Sequence, residues 1–458
     1  MYKVDFDRPI HIHFIGIGGI SMSGLAEVLL ERGFTVSGSD MKPSPITEKL
    51  EAHGAVIHYG QRAENITDDI QLVVYTAAIH PGNPEYKEVL ARNIPHFDRA
   101  ELLGQIMSHY RNAIAVSGTH GKTTTTSMLS LILLEGNCDP TISVGGILKD
   151  IGGNIRVGRS ENFITEACEY TNSFLKFDPR IVLILNVEED HMDFFKDIDD
   201  IRHSFRRFAE KPDKDGVVII NKDIDDVEYF TAGLPSRVIT YSLNKPADLT
   251  AENITYDEHA CGSFDLVIGG KNMGRFKLGV SGVHNISNAL AAIAAAMELD
   301  ISMEDIRRGL AAFTGTDRRF EYKGEINGVT IIDDYAHHPT EIAATLKAAA
   351  NCPHRKIWCV FQPHTYTRTQ AYLTDFAKAL SLADHVVLAD IYAAREPDTG
   401  TIHSKDLLAE LKKLDVPADY FPSFDAIEAF IRKQCVPGDL VITMGAGDIV
   451  TVGEDLLK

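Results

Sequence analysis

The sequence predicts an α/β protein of three domains built on mostly parallel sheets. Three observations carry that expectation. The chain has 458 residues, and at roughly 150 residues per domain that length asks for about three. Short apolar runs of strand length alternate with helical segments in three successive stretches, the rhythm of parallel strands covered by helices. In the first two stretches the leading strand runs into a glycine-rich turn and then a helix.

The first stretch opens with the apolar run Ile10–Ile15. Glycines follow, then an apolar-periodic segment from Ile20 to Leu30, and further strands at Phe34–Ser37 and Leu72–Thr76. The second opens at Ala113–Val116, with a helix from Thr124 to Leu134 and strands near Phe163–Glu166, Ile181–Asn186 and Gly216–Ile220. Asp248–Lys277 reads as short strands and turns, with turn signals at Cys261-Gly262 and Gly269-Gly270, and fits an antiparallel addition. The third opens at Val329–Ile332 and continues through Lys356–Phe361, His385–Ala389 and Leu440–Thr443. Seams are expected at Leu102–Arg111 and at the polar stretch Gly315–Gly328, which gives domains 1–108, 109–320 and 321–458.

Composition bounds the function. With 45 Lys+Arg against 65 Asp+Glu the formal net charge is −20. Such a chain is not expected to bind nucleic acid or an anionic membrane over a broad surface. Positive charge for any phosphate chemistry must be gathered locally. The 6 cysteines form no C-x-x-C pair and suggest neither a zinc site nor a disulfide frame. The opening Met-Tyr-Lys-Val-Asp-Phe-Asp does not read as a signal peptide, and the apolar run Ala289–Met297 is too short to span a bilayer. No membrane insertion is expected, and the cytoplasm is the expected compartment.

Two glycine turns carry chemistry. Gly16-Ile17-Gly18-Gly19-Ile20-Ser21 follows a strand and opens a helix, and Asp40 lies at the end of the next strand. Glycines admit a pyrophosphate close to the backbone, and a helix N-terminus supplies amides and partial positive charge. Ser21 replaces the third glycine of the dinucleotide fingerprint. Three readings stand: NAD, another nucleotide diphosphate such as a UDP-sugar, and a tight turn without a ligand. The second turn, Gly118-Thr119-His120-Gly121-Lys122-Thr123-Thr124, also lies between strand and helix. Its amides can cradle phosphates, Lys122 can reach the β and γ phosphates, and the Thr123 hydroxyl can hold Mg²⁺. A triphosphate loop in the second domain makes a nucleotide-linked substrate the better guest for the first.

Acidic and histidine groups gather at strand ends. Glu166 ends a strand, where ligands of parallel sheets bind, and suits Mg²⁺, which takes oxygen ligands. Asn186 ends another and is followed by Glu188-Glu189-Asp190-His191-Met192-Asp193. Asn285 and Asn288 share a helix face near its start. Asp317-Arg318-Arg319 lies at the second seam, as a solvated run or as the source of an arginine for a phosphate. Asp333-Asp334-Tyr335-Ala336-His337-His338-Pro339 and Gln362-Pro363-His364-Thr365-Tyr366-Thr367-Arg368 each follow a strand of the third domain.

Together, in this order, these motifs resemble the Mur ligases over the whole chain, from His13-Phe14-Ile15-Gly16 to Gly445-Ala446-Gly447-Asp448. The resemblance implies a Rossmann-like N-terminal domain for the UDP-sugar, a central P-loop ATPase-type α/β domain, and a Rossmann-like C-terminal domain that brings the amino acid. It is nearest to the member that joins L-alanine to UDP-N-acetylmuramate in peptidoglycan precursor synthesis. The alternative is the recycling member that adds a peptide to the same UDP-sugar. The first glycine turn sides with the alanine enzyme.

By the same resemblance, Gly118, Thr119, His120, Gly121, Lys122, Thr123, Thr124, Asn285, Asn288, Arg319 and Asp334 bind ATP. Thr123, Glu166 and His191 hold Mg²⁺. Gly16, Gly18, Gly19, Ser21 and Asp40 bind the UDP-sugar, and Tyr335, His337, His364 and Arg368 lie near the amino acid. Lys122, Glu166, His191 and Arg319 are the catalytic set. The physics agrees, because a carboxylate must approach a triphosphate. Like unit charges 4 Å apart cost about 4 kcal/mol at an effective dielectric of ~20. Two positions depart from relatives. Several of them carry a carbamylated lysine where this chain has Ser204-Phe205-Arg206-Arg207, and some carry arginine where Thr365 stands.

Overall fold

A computed structural model of the chain describes residues 2–76, 79–192, 194–257, 260–394, 396–398 and 400–458. It holds three sheets, one for each expected α/β stretch. The backbone divides into two compact units, Met1–Thr250 with Leu290–Gly309, and Ala251–Ala289 with Leu310–Lys458.

The first unit opens with β1 (His11–Ile15), β2 (Thr35–Asp40), β3 (Val56–Tyr59), β4 (Leu72–Tyr75) and β5 (His96–Asp98). All pairs are parallel in the order β3-β2-β1-β4-β5. The order reverses at β1, so the connections leaving β1 and β4 part company. That opens a crevice at the carboxyl ends of the strands, the usual ligand position in open α/β sheets. β2 runs from Thr35 to Asp40, the residue expected at its end. Its polar Ser37 and Ser39 are buried and bonded. The Ser37 hydroxyl meets His11 Nε2 at 2.8 Å and His13 Nδ1 at 2.9 Å, and Ser39 donates to Glu85 at 2.6 Å.

The second sheet is built from β6 (Asn112–Ser117), β7 (Thr141–Leu148), β8 (Gly153–Arg156), β9 (Asn162–Glu166), β10 (Ile181–Ile184), β11 (Val217–Asn221), β12 (Arg237–Ser242) and β13 (Leu249–Tyr256). Within this unit the order is β13-β12-β11-β10-β6-β9-β7-β8, and β13 enters it through Leu249 and Thr250. β7 and β8 pair antiparallel and the other pairs are parallel. β6, β10 and β11 are near-continuous buried runs of Val, Ile, Leu and Ala, as strands covered on both faces must be. The expected seam at Leu102–Arg111 is largely a helix, Arg99–Met107, started by a capping box between Asp98 and Glu101. It buries Leu102, Leu103, Ile106 and Met107 in the same core as Phe174, Phe177 and Phe208.

In the second unit, β14 (Cys261–Ile268) and β15 (Lys271–Ser281) form an antiparallel hairpin. Gly269 and Gly270 make its turn, both at positive φ, as a two-residue hairpin requires. Cys261-Gly262 is not a turn but the start of β14. The missing side chain of Gly262 serves packing there, since a Cβ would stand 3.0 Å from Ile286. The last sheet orders β16 (Glu321–Ile326), β17 (Val329–Asp334), β18 (Ile357–Phe361), β19 (His385–Leu388), β20 (Ala418–Tyr420) and β21 (Leu440–Met444) as β16-β17-β21-β18-β19-β20. β16 lies inside the stretch expected to be a seam. It is an antiparallel edge strand whose alternating Glu321, Lys323 and Glu325 disguise it. Apolar cores cover both sheet faces. Among the described residues no helix is long and apolar enough to cross a membrane.

Candidate active site

The loop after β6 is shaped for phosphate. Gly118 and Gly121 take φ of 144° and 83°. The helix begins at Lys122 (Lys122–Glu135) rather than at Thr124, which sets Lys122 and Thr123 in its first turn, where amides are unpaired and anions are favoured. Asn186, just past β10, clamps the loop at two points. Its Oδ1 accepts from His120 N at 2.7 Å and its Nδ2 donates to His120 O at 3.0 Å. Glu188 N donates to the Thr119 hydroxyl at 2.9 Å.

The Lys122 ammonium donates to Gly118 O at 2.5 Å, Thr119 O at 3.1 Å and Glu169 Oε2 at 3.0 Å. Burial works against its charge. The Glu169 carboxylate, with Cys168 and Glu166 nearby, more than reverses that and holds the lysine above its ordinary range. Glu169 is buried at 2% exposure.

Glu166 ends β9 and accepts Gly145 N at 2.5 Å. Gly145 and Gly146 form a bare stretch of β7. A Cβ on Gly145 would stand 2.8 Å from Glu166 Oε2, and one on Gly146 would stand 3.3 Å from Thr123 Cγ2. Thr123 and Glu166 therefore border the same side-chain-free strip, and their oxygens are the hard donors Mg²⁺ prefers. The residues fit that ion. His191 takes a left-handed φ of 53° and stacks on Tyr170 with centroids 4.6 Å apart. Its N–H donates to Asp190 Oδ1 at 2.7 Å. Asp193, of the same motif, lies outside the described residues. Where relatives carry the carbamylated lysine, Ser204 donates to Asn172, Phe205 is core, and Arg206 pairs with Glu210.

At the first glycine turn, Gly16 N and Ile17 N donate to Ser39 O at 2.9 and 3.0 Å. Gly18 N donates to Asp40 Oδ2 at 2.8 Å, and Asp40 Oδ1 accepts Met41 N at 2.7 Å. Asp40 thus braces the turn from the end of β2. Gly19 caps the helix Ile20–Glu31, and Ser21 is exposed in its first turn.

The second unit holds the remaining residues. Asn288 Nδ2 donates to Asn285 Oδ1 at 2.9 Å, and Asn285 Nδ2 donates to Ser281 O at 2.7 Å, so the two share one buried face. The adjacent arginines part. Arg318 is consumed by Asp333 and by the carbonyls of Gly445 and Gly447. Arg319 lies over Tyr335 and 3.8 Å from Glu341. Asp333 and Asp334 fall inside β17 rather than after it. Asp334 accepts from Phe320 N and Ala336 N at 2.8 and 2.7 Å. Burial pushes its carboxyl up to about 6, against the pull of Arg319.

Tyr335, His337, His364 and Arg368 come together. The His337 ring lies 5.4 Å from Tyr335 and 5.7 Å from His364, and Arg368 Nη1 is 3.4 Å from His364 Nδ1. Burial lowers the His337 pKa, with Glu341 opposing. Sequence reasoning passed over Glu169, Gly145-Gly146 and Glu341. Their signals are faint: an acid three residues past Glu166, a double glycine inside a strand, and a glutamate one helical turn past His337.

Three sequence models match the chain in succession: Mur ligase family, catalytic domain, over residues 11–111; Mur ligase middle domain over 116–296; and Mur ligase, glutamate ligase domain, over 318–447. The UDP-N-acetylmuramate–L-alanine ligases of Agathobacter rectalis and Lachnospira eligens are 62% and 59% identical, each alignment covering 100% of both chains. Among solved structures, the UDP-N-acetylmuramate–alanine ligase of Thermotoga maritima aligns with TM-score 0.79 and 29% identity over 98% of each chain. A murein peptide ligase from Psychrobacter arcticus aligns with TM-score 0.69 and 27% identity, again over 98% of each.

Proposed function

The chain belongs to the Mur ligase family, and from that premise we propose that it joins L-alanine to the carboxylate of UDP-N-acetylmuramate at the expense of ATP. The observation that carries this reading is full-length identity of about three-fifths to ligases of that substrate pair, in a chain whose Lys122 lies in a phosphate-shaped loop beside Glu166. The murein peptide ligase that supports the recycling reading aligns over 98% of each chain at 27% identity, well below the identity to the alanine ligases. We assign residues 1–108 to the UDP-sugar, 109–320 to ATP, and 321–458 to the amino acid. The reaction belongs to cytoplasmic peptidoglycan precursor synthesis, and through it to cell shape and division.

In the first step the substrate carboxylate attacks the γ phosphorus, ADP departs, and an acyl phosphate forms. In the second the amine of L-alanine adds to the acyl carbon, a proton is lost, and phosphate leaves from the tetrahedral intermediate. Lys122 and the amides of its helix start bind the β and γ phosphates and offset charge that builds on them. Asn285, Asn288, Arg319 and Asp334 contact ATP. Thr123, Glu166 and His191 would hold Mg²⁺, which supplies phosphate neutralisation when bound. Gly16, Gly18, Gly19, Ser21 and Asp40 receive the UDP moiety. Tyr335, His337, His364 and Arg368 orient L-alanine, with Arg368 suited to its carboxylate.

The test is phosphate release from ATP with Mg²⁺ and UDP-N-acetylmuramate, with and without L-alanine. The expected result is release that needs both substrates and a product heavier by one alanine residue. Release that ignores alanine and requires a peptide would establish the recycling ligase instead.

A further inference from the structure

The Lys122 ammonium is fully engaged within the protein. It has three N–H bonds, and three acceptors surround it: Gly118 O, Thr119 O and the Glu169 carboxylate. The two carbonyls belong to the loop itself. Glu169 comes from another segment, the one after β9, and pairs with Lys122 among the described residues. Its side chain is 3% exposed and that of Lys122 is 16% exposed. A carboxylate so close to a triphosphate site repels the ligand, so simple filling of space does not account for it.

We propose that Glu169 is the positioning residue for Lys122, anchoring the ammonium so that an incoming phosphate displaces a loop carbonyl and leaves the lysine in place. When phosphate oxygens arrive, Lys122 must release at least one acceptor. Releasing a carbonyl costs the loss of one neutral hydrogen bond. Releasing Glu169 would leave a buried carboxylate without its counter-ion, which costs more. The lysine therefore keeps Glu169 and turns a loop-facing N–H toward the phosphate. Its Nζ is held at the point from which it follows the γ phosphorus into the transition state. A lysine without the anchor is held by Gly118 O and Thr119 O alone, and a phosphate that displaces one of them draws it away from that point.

This inference rests on the reading of Lys122 as the β/γ phosphate ligand, and the experiment separates the two. Steady-state ligation is measured for the full chain and for K122A, E169A, E169Q and E169M, varying each of the three substrates. Loss of aim at the reacting phosphate lowers kcat, so E169A is expected to lose about 30-fold or more in kcat while KM for UDP-N-acetylmuramate and L-alanine stays within about 2-fold. E169Q keeps the length and an acceptor oxygen for the ammonium, and is expected to recover to within about 5-fold of wild type. E169M has similar bulk without an acceptor and should match E169A; it decides the question if E169A does not fold. An inactive K122A beside E169A and E169M with near-wild-type kcat overturns the anchor and leaves the lysine reading intact. Equal losses in E169Q and E169M also overturn it, because packing alone then explains them. An active K122A overturns the lysine reading itself.

Discussion

Gly145 donates its backbone N–H to Glu166 at 2.5 Å, and nothing larger than hydrogen fits between its Cα and that carboxylate. The glycine is exposed, so its lack of a side chain serves the acid rather than the core. Alanine at 145 must displace the Glu166 carboxylate from its place beside the strand. G145A is expected to lose ligation by about 100-fold, the cost of misplacing a reacting-site group by an ångström. Its melting temperature should stay within a few degrees of wild type. Wild-type turnover in G145A would show that the contact is incidental.

The first glycine turn offers a matching test in another substrate. A Cβ on Gly18 would stand 2.7 Å from Asp40 Oδ2, so G18A breaks the bond by which Asp40 braces the turn. The expected outcome is a KM for UDP-N-acetylmuramate raised about ten-fold, with KM for ATP unchanged. A change in the ATP constant instead would remove the turn from the UDP site.

Which features were legible in the sequence follows from how each residue is buried. β6, β10 and β11 announce themselves because strands covered on both faces must be apolar throughout. The phosphate loop is legible because Gly118, Gly121 and Lys122 fall within one short stretch between a strand and a helix. β16 and the last two residues of β17 are not, since their polar side chains are satisfied by distant partners such as Arg318. The same holds for Glu169 and Glu341. A carboxylate that acts through a neighbour 47 residues away leaves no local pattern. The His120–Asn186 and Asp40–Gly18 contacts join strand ends that only the sheet order brings together.

Asp334 ties the fold to pH. Burial holds its folded carboxyl at about 6 against the ordinary 3.8, so between those values the folded chain binds the extra proton. Stability from this group is present at low pH and is lost as pH rises through about 6. The shift corresponds to about 3 kcal/mol in all, of which about 2 kcal/mol falls between pH 4 and pH 7. Asparagine does not titrate. The stability gap between D334N and wild type is therefore expected to move by that amount in favour of D334N between pH 4 and pH 7, whatever the constant offset from the altered bonds to Phe320 and Ala336. Urea unfolding of both proteins across that range measures it. A gap independent of pH would mean that Asp334 has an ordinary carboxyl.

Glu341 faces two groups assigned to different substrates. Its Oε1 lies 3.8 Å from Arg319 Nη1, and its Oε2 lies 3.3 Å from His337 Nδ1 and accepts His337 N at 3.1 Å. His337 Nδ1 also meets Tyr335 O at 3.0 Å, which fixes the ring. At 3.8 Å the arginine pair itself is weak, so the value of Glu341 lies in orientation. E341Q is expected to raise KM for both ATP and L-alanine by roughly three- to ten-fold, with KM for UDP-N-acetylmuramate unchanged. H337A, by contrast, should raise the L-alanine constant alone. If E341Q moves only one of the two, the carboxylate serves one partner and the other contact is idle.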